Sequence, residues 1–330
     1  MTRSLPPGER TAMSRSPAAA DTRPMDIPYF DDDDVSATAR YPEVLAALRS
    51  SYSSAHRGAM LSIPKTMQRW ETGNGPASAH ALGAVDIEHS IGAFKCWVNT
   101  PRGAQALLTL FDAEAGGLVA LLAAGALGFV RTAGTAALAT DLLALPDASV
   151  LAVLGTGRQA VHQVTATAQV RQLELVRVWS PNADRRRDFA ARIAATYDLR
   201  VEACPDPGAA VADVPIVITV TRAHQPFLDA AMLTRGAHVN AVGAILPGNA
   251  ELMPNVVETS ALVVVDDLEN ARRSATELRP LGLDLAGVLT LGELIDAGDG
   301  RPDGAGLTLF KGLGTGIADL AVARLFAPAG

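Results

Sequence analysis

The sequence predicts an α/β protein in which a doubly wound parallel sheet is joined to a strand-rich α+β region. Three observations carry this reading. From Ser149 onward short apolar runs alternate with helical patterns, as right-handed βαβ crossovers require. The first of these runs, Ala148–Leu154, passes directly into Gly155-Thr156-Gly157-Arg158-Gln159-Ala160, a G-x-G-x-x-A turn between strand and helix. Before it, residues 61–122 hold β-type runs broken by glycine and proline, including a hairpin pattern.

Taken in order, Tyr41–His56 sets Val44, Leu45, Leu48 and Tyr52 at helical spacing, with Pro42 suited to a first turn. Leu61–Trp70 reads as a strand or loop interrupted by Pro64, and Gly73, Gly75 and Pro76 mark a loop after it. Ile91–Val98 reads as a strand. Gln105–Phe111 and Leu118–Leu122 flank Asp112-Ala113-Glu114-Ala115-Gly116-Gly117 as the arms of a hairpin. Ala124–Leu145 is an alanine-rich helix that stops before Pro146. Strands are expected at 149–154, 174–179, 215–220, 237–242 and 261–265, and helices at 158–170, 183–196 and 228–233. Thr308–Phe326 is expected to end the chain as an apolar helix.

With 330 residues, 48% hydrophobic and 19% charged, the chain has enough apolar material for two domains and a large core. A net charge of −7 without a dominant basic cluster argues against a nucleic-acid surface. The longest apolar run, Leu118–Val130, stops at Arg131 and is too short to cross a bilayer, so no membrane partner is expected. Two cysteines, Cys96 and Cys204, make no disulfide framework and no metal-ligand spacing, which fits a reducing cytoplasm and no bound metal. Residues 1–25 are expected to be a disordered tail; the Pro, Ser, Ala and Arg of 1–24 lack the apolar stretch of a secretory signal.

The glycine turn carries the first functional expectation. Gly155 allows the tight turn, Gly157 lets the backbone approach a pyrophosphate, and Ala160 lets the helix pack closely on its strand. The helix N-terminus offers free N–H groups and a partial positive charge to phosphates. A dinucleotide is therefore the expected cofactor. About 20 residues on, where an NAD-selective site places an acid, the strand ends in Ser180-Pro181-Asn182. Arg185, Arg186 and Arg187 follow, either as a solvated helix face or as partners for a 2′-phosphate. NADPH is favoured, with NADH also usable.

Beyond this turn the chain resembles the ornithine cyclodeaminase/μ-crystallin family from about residue 26 onward. The resemblance rests on several segments: Phe94-Lys95-Cys96-Trp97, Leu107–Leu122, Val130-Arg131-Thr132-Ala133-Gly134-Thr135-Ala136, the glycine turn, Val239-Asn240-Ala241-Val242-Gly243 with Pro247-Gly248 and Glu251-Leu252, and Leu309–Gly314 through Asp319. It implies a homodimer with a Rossmann-type dinucleotide domain at 141–314. It also implies a strand-rich α+β substrate-binding and dimerisation domain made of 26–140 and 315–330. Family members reduce imines, dehydrogenate amino acids or cyclise ornithine to proline.

The resemblance also bears on single residues. Lys95 sits in an apolar strand and is either a solvent-facing lysine on the polar side of a half-buried strand or, as the resemblance implies, a proton-transfer group beside the substrate. Arg131 is either a structural arginine or, by resemblance, a bidentate clamp on the substrate carboxylate. Lys65 stands where many members place another carboxylate-binding arginine, with Arg69 four residues on as a substitute. Thr219 and Thr221 end a strand and could line the nicotinamide side, with Val242 and Gly243 beside them. Asp319 either matches a family position near the active site or is an acid favoured in a helical first turn.

Ile245 departs most from the cyclodeaminase pattern, which supplies a catalytic aspartate there; no Asp or Glu lies between Gly243 and Ala250. The expectation is therefore an NAD(P)H-dependent reductase of imino acids of the Δ1-pyrroline-2-carboxylate or Δ1-piperideine-2-carboxylate type, or the reverse amino-acid dehydrogenase. Ornithine cyclodeaminase and a non-catalytic crystallin-like NADPH-binding protein are the alternatives.

Overall fold

The structure, a computed structural model, describes residues 27–282 and 284–327; the expected N-terminal tail lies outside them. The chain enters through β1 (Tyr29–Phe30), α1 (Asp32–Thr38) and α2 (Tyr41–His56), then runs through β2 (Met60–Thr72), β3 (Gly75–Asp86), β4 (Ile91–Thr100), β5 (Gly103–Asp112) and β6 (Leu118–Ala123). These strands form one sheet in the order β1-β6-β5-β4-β3-β2, antiparallel throughout except for the β1–β6 pair. The β5–β6 hairpin is where its turn residues predict it.

Two features here differ from expectation. β2 is a continuous strand, and Pro64 is accommodated by a register irregularity between Ile63 and Thr66 rather than by a break. β3, in a segment not read as a strand, is central. Its small residues (Ala77, Ala79, Ala81, Gly83, Ala84) give little propensity signal, but they let neighbouring elements approach closely.

α3 (Ala124–Leu143) follows, and its alanines pack it between the two halves of the molecule. The second half holds β7 (Val150–Leu154), α4 (Arg158–Thr167), β8 (Leu175–Trp179), α5 (Ala183–Tyr197), β9 (Arg200–Ala203), α6 (Pro207–Val211), β10 (Ile216–Thr219) and β11 (Ala237–Ala241). It continues through α7 (Pro254–Glu258), β12 (Leu262–Val265), α8 (Leu268–Ser274), β13 (Leu289–Thr290), α9 (Leu291–Asp296), β14 (Leu307–Lys311) and α10 (Gly316–Ala323). The sheet is parallel in the order β13-β12-β14-β11-β10-β7-β8-β9.

The expected helix at 228–233 is a single 3₁₀ turn, Ala230–Met232, begun by the Asp229 side chain. The expected helix over Thr308–Phe326 is two elements. Leu307–Lys311 is a fully buried strand between β11 and β12, and only Gly316–Ala323 is α-helical. A strand covered on both faces is apolar at every position, so its pattern matches that of a buried helix.

Strand order reverses at β7. The chain passes from β7 outward to β8 and β9, then crosses to β10 on the other side of β7. Open α/β sheets bind ligands at the carboxyl ends of the strands flanking such a reversal. Here those ends are Gly155 and Val220, and they touch. A Cβ on Gly155, whose φ is +128°, would lie 2.6 Å from the Val220 carbonyl oxygen, so only glycine fits that turn.

Candidate active site

A cavity of about 230 Å³ opens at the β7–β10 switch point, lined by Gln159, Thr221, Val242, Gly243 and Gly312 among others. Gly157 begins α4, has no side-chain cap, and a Cβ there would meet nothing within 4 Å. Open space beside uncapped first-turn N–H groups is what a pyrophosphate needs. The other turn residues hold the loop in shape. Thr156 Oγ1 donates to Ser180 Oγ at 3.1 Å, Gln159 Nε2 to the Phe129 carbonyl at 3.1 Å, Arg158 lies over the Phe129 ring, and Ala160 is fully buried against the sheet.

At the end of β8 no acid points into the site. Ser180 is buried, and Asn182 caps α5 by accepting from the Arg185 backbone N–H. The three arginines that follow separate in role. Arg186 donates to the Ser180 carbonyl at 2.6 Å and Arg187 pairs with Asp184, whereas the Arg185 guanidinium has no partner among the described residues. The residues present therefore fit a dinucleotide, and Arg185 stands exposed in the first turn of α5.

Thr219, expected to line the nicotinamide side, does not reach it. It is fully buried, and its hydroxyl donates to Glu251. Glu251 was legible only as part of a motif, yet it organises this end of the sheet. Its carboxylate, fully buried, accepts from Thr219 Oγ1, Thr221 N and Oγ1, Gly243 N and Ala244 N at 2.6–3.1 Å. The backbone N–H groups of Glu251 and Leu252 are in turn held by Glu277, which forms a fully buried ion pair with Lys311. Nothing in the spacing of these acids along the chain signalled them. Asp266, also missed, accepts from Leu313 N and Gly314 N, and burial raises its carboxyl to about 6.

A second compartment of about 200 Å³ adjoins the first and shares Arg131, Ile245, Leu313 and Gly314 with it. Register decides its chemistry. Lys95 pairs across the sheet with Leu82 and Leu108, both buried, so its side chain points inward while Phe94 and Cys96 point out. The solvent-facing alternative for Lys95 is thereby excluded: its side chain is 8% exposed. Its ammonium lies 2.8 and 2.7 Å from the two carboxylate oxygens of Asp319.

The same carboxylate accepts from Arg131 Nε at 2.9 Å. α10 can bring Asp319 there because its first residue lies against β3: a Cβ on Gly316 would sit 1.9 Å from the Gly83 carbonyl oxygen. Burial lowers Lys95 to about 8; Asp319 opposes that shift and Arg131 adds to it. Lys65 stands over Trp97, its ammonium 5.3 Å from the ring, and is also lowered, by burial and then by Arg131. Arg69 lies further out, in a third compartment. Ile245 is 42% exposed and lines the walls of all three.

A switch-point cleft with an open glycine turn, next to an inward-facing lysine, arginine and aspartate, defines the candidate site of a dinucleotide-dependent enzyme. The chain belongs to the ornithine cyclodeaminase/mu-crystallin family, whose description matches residues 33–327. It is 34% identical to the ketimine reductase mu-crystallin of Mus musculus over 221 residues, covering 67% of this chain and 68% of that one. It is 32% identical to a Delta(1)-pyrroline-2-carboxylate reductase of Bacillus cereus over 224 residues, covering 66% and 69%. Among solved structures, the iminosuccinate reductase of Paracoccus denitrificans in complex with NAD+ matches with a TM-score of 0.81 and 25% identity, over 91% of this chain and 94% of that one.

Proposed function

We propose that this protein is an NAD(P)H-dependent reductase of imino acids, running in reverse as an amino-acid dehydrogenase. The observation that carries this is the Lys95–Asp319–Arg131 cluster, which opens onto the cleft beside the glycine turn with Ile245, and no acid, on the facing wall. When bound, the dinucleotide supplies the hydride for the imine carbon.

This chain's own residues do the rest. The outward N–H groups of Arg131, with Lys65, hold the substrate carboxylate, and Asp319 fixes the guanidinium so that its fork is pre-aimed. Lys95, protonated on the acid side of about 8, donates a proton to the substrate nitrogen and recovers one through solvent. The apolar wall of Ile245 and Leu313 excludes water from the reacting carbon.

Cyclodeamination needs repeated proton transfers on a second amine, and Ile245 can perform none. That alternative is therefore disfavoured. NADPH is the preferred cofactor on the strength of Arg185 and the missing acid at Ser180. Support for a homodimer comes from the outer face of the first sheet, where Leu61, Trp70, Phe94 and Val98 are 40–50% exposed. Among the described residues no helix is long and apolar enough to cross a membrane.

The test is purified protein with NADPH and Δ1-pyrroline-2-carboxylate or Δ1-piperideine-2-carboxylate, followed by nicotinamide absorbance, beside ornithine followed by ammonia release. Imine-dependent NADPH oxidation is expected. Ammonia release without imine reduction would replace this reading with the cyclodeaminase one, and cofactor binding with neither activity would favour a non-catalytic role.

A further inference from the structure

The third compartment, about 470 Å³, shares Lys65, Trp97 and Ile245 with the substrate compartment and extends away from the Lys95–Asp319 cluster. Its lining includes Lys65, Arg69, His80, Arg222 and His224, and no carboxylate. In a chain whose net charge is −7, this is a local reversal of sign. Many arginines of this protein pair with an acid, as Arg171, Arg177 and Arg324 do. Lys65, Arg69 and Arg222 have no acid within ion-pair distance among the described residues.

These groups face a shared space. Lys65, Met67 and Arg69 alternate along β2, and His80 lies opposite Met67 in the register. Burial lowers the His80 imidazole, and the charges of Lys65 and Arg69 lower it further. The His80 ring stacks on Trp97 with centroids 4.6 Å apart, so the floor is rigid and flat. Opposite, Ile245 and Leu246 present apolar surface at 42% and 44% exposure.

The charge count decides what fits. Lys65, Lys95, Arg131, Arg69 and Arg222 are five cations, against Asp319 and, on the side of the first cavity, Asp266. The single carboxylate of a simple imino acid leaves most of that excess uncompensated. A substrate with a terminal acid beyond a short methylene chain answers it, its methylenes on Ile245 and its acid on the outer cations. A side chain ending in an ammonium, as in ornithine, would be repelled.

Building on the reductase reading above, we propose that the substrate is an imino acid carrying a second acidic group, which Arg69 and Arg222, flanked by His80 and His224, receive. The reaction is balanced: a 2-oxo diacid and ammonia condense with loss of water, the imine carbon gains a hydride and its nitrogen a proton, and NAD(P)H is oxidised to NAD(P)+.

The experiment has two arms on the full chain. In the first, NADPH oxidation is measured with ammonia and oxaloacetate or 2-oxoglutarate, against pyruvate or 2-oxobutyrate. In the second, calorimetry on cofactor-loaded protein compares L-aspartate and L-glutamate with L-alanine and L-proline. A kcat/KM at least 30-fold higher for a diacid is expected. Binding should favour the acidic amino acid, and Arg69→Gln should weaken that binding at least tenfold; an unchanged cofactor Kd shows that the variant is folded. Arg222→Gln should weaken that binding as well, with urea unfolding as its folding control because Arg222 also lines the first cavity.

Equal or better turnover of the monoacid imines, with no preference for acidic amino acids, would overturn this inference and leave the reductase reading standing. Selective binding of the acidic amino acids with no imine reduced would overturn the reductase reading while keeping the anion site.

Discussion

Replacing Glu251 by Gln changes one buried oxygen into an NH2 group and little else in shape, so its cost can be worked from the hydrogen bonds. Oε1 accepts from Thr221 N at 2.6 Å and Thr221 Oγ1 at 2.7 Å. Oε2 accepts from Thr219 Oγ1, Gly243 N and Ala244 N at 2.9, 2.9 and 3.1 Å. The threonine hydroxyls can rotate to accept from an amide, but backbone N–H groups cannot. With the NH2 on the Oε1 side, Thr221 N–H is orphaned; on the other side, Gly243 and Ala244 N–H both are.

An unsatisfied buried donor costs about 1–3 kcal/mol, and here it also faces another donor, so Glu251→Gln should lose about 2–4 kcal/mol. Repacking cannot relieve this, since a Cβ placed on Gly243 would already lie 2.3 Å from Glu251 Oε1. The assay is urea unfolding at fixed protein concentration with linear extrapolation. A parallel titration with NADPH should show weakened binding, because Thr221 and Gly243 line the cavity at the β7–β10 switch point. A stability within about 0.5 kcal/mol of wild type would refute the claim that this carboxylate ties β10 to β11.

Three further outcomes are expected. Because burial holds Lys95 at about 8, kcat/KM for imine reduction should be flat below that pH and fall about tenfold per unit above it, while amino-acid dehydrogenation should rise through the same range. Asp319→Asn should move that breakpoint to lower pH, since Asp319 stabilises the ammonium, and Lys95→Ala should reduce turnover by about 10²–10⁴ with cofactor Kd nearly unchanged; a pH profile without a break near 8 would remove Lys95 from the proton path. Arg185→Ala should raise the KM for NADPH about tenfold or more and leave that for NADH unaltered, as steady-state kinetics with both cofactors will show. Phe94→Glu, placed on the exposed apolar face of the first sheet, should weaken self-association about 100-fold by sedimentation analysis; a variant that sediments like wild type would move the dimer contact elsewhere.

Local sequence was enough for some of this molecule. The Ala148–Ala160 strand–turn–helix, the β5–β6 hairpin and the start of α2 each depend on a short-range rule of apolar period or glycine conformation, and each is where that rule puts it. The departure at Ile245 was likewise readable, because a missing acid needs no geometry to recognise. The rest depended on contacts between residues far apart in the chain. β14 resembled a helix until β11 and β12 covered it. Lys95 could face either way until the register with Leu82 and Leu108 turned it inward onto an aspartate 224 residues along the chain. Thr219 looked like a cofactor contact and serves Glu251, while Glu277 and Lys311 gave no signal and form a buried pair beneath the site. Arg69 was readable only as a substitute for Lys65 and Arg222 carried no signal, and only the packing of the two halves set them around one cavity. Sequence determines what each segment prefers and which chemistries its side chains allow. Which side chains meet, and in what state of charge, is decided by burial and long-range pairing, because desolvation and Coulomb energies depend on distance in space and not along the chain.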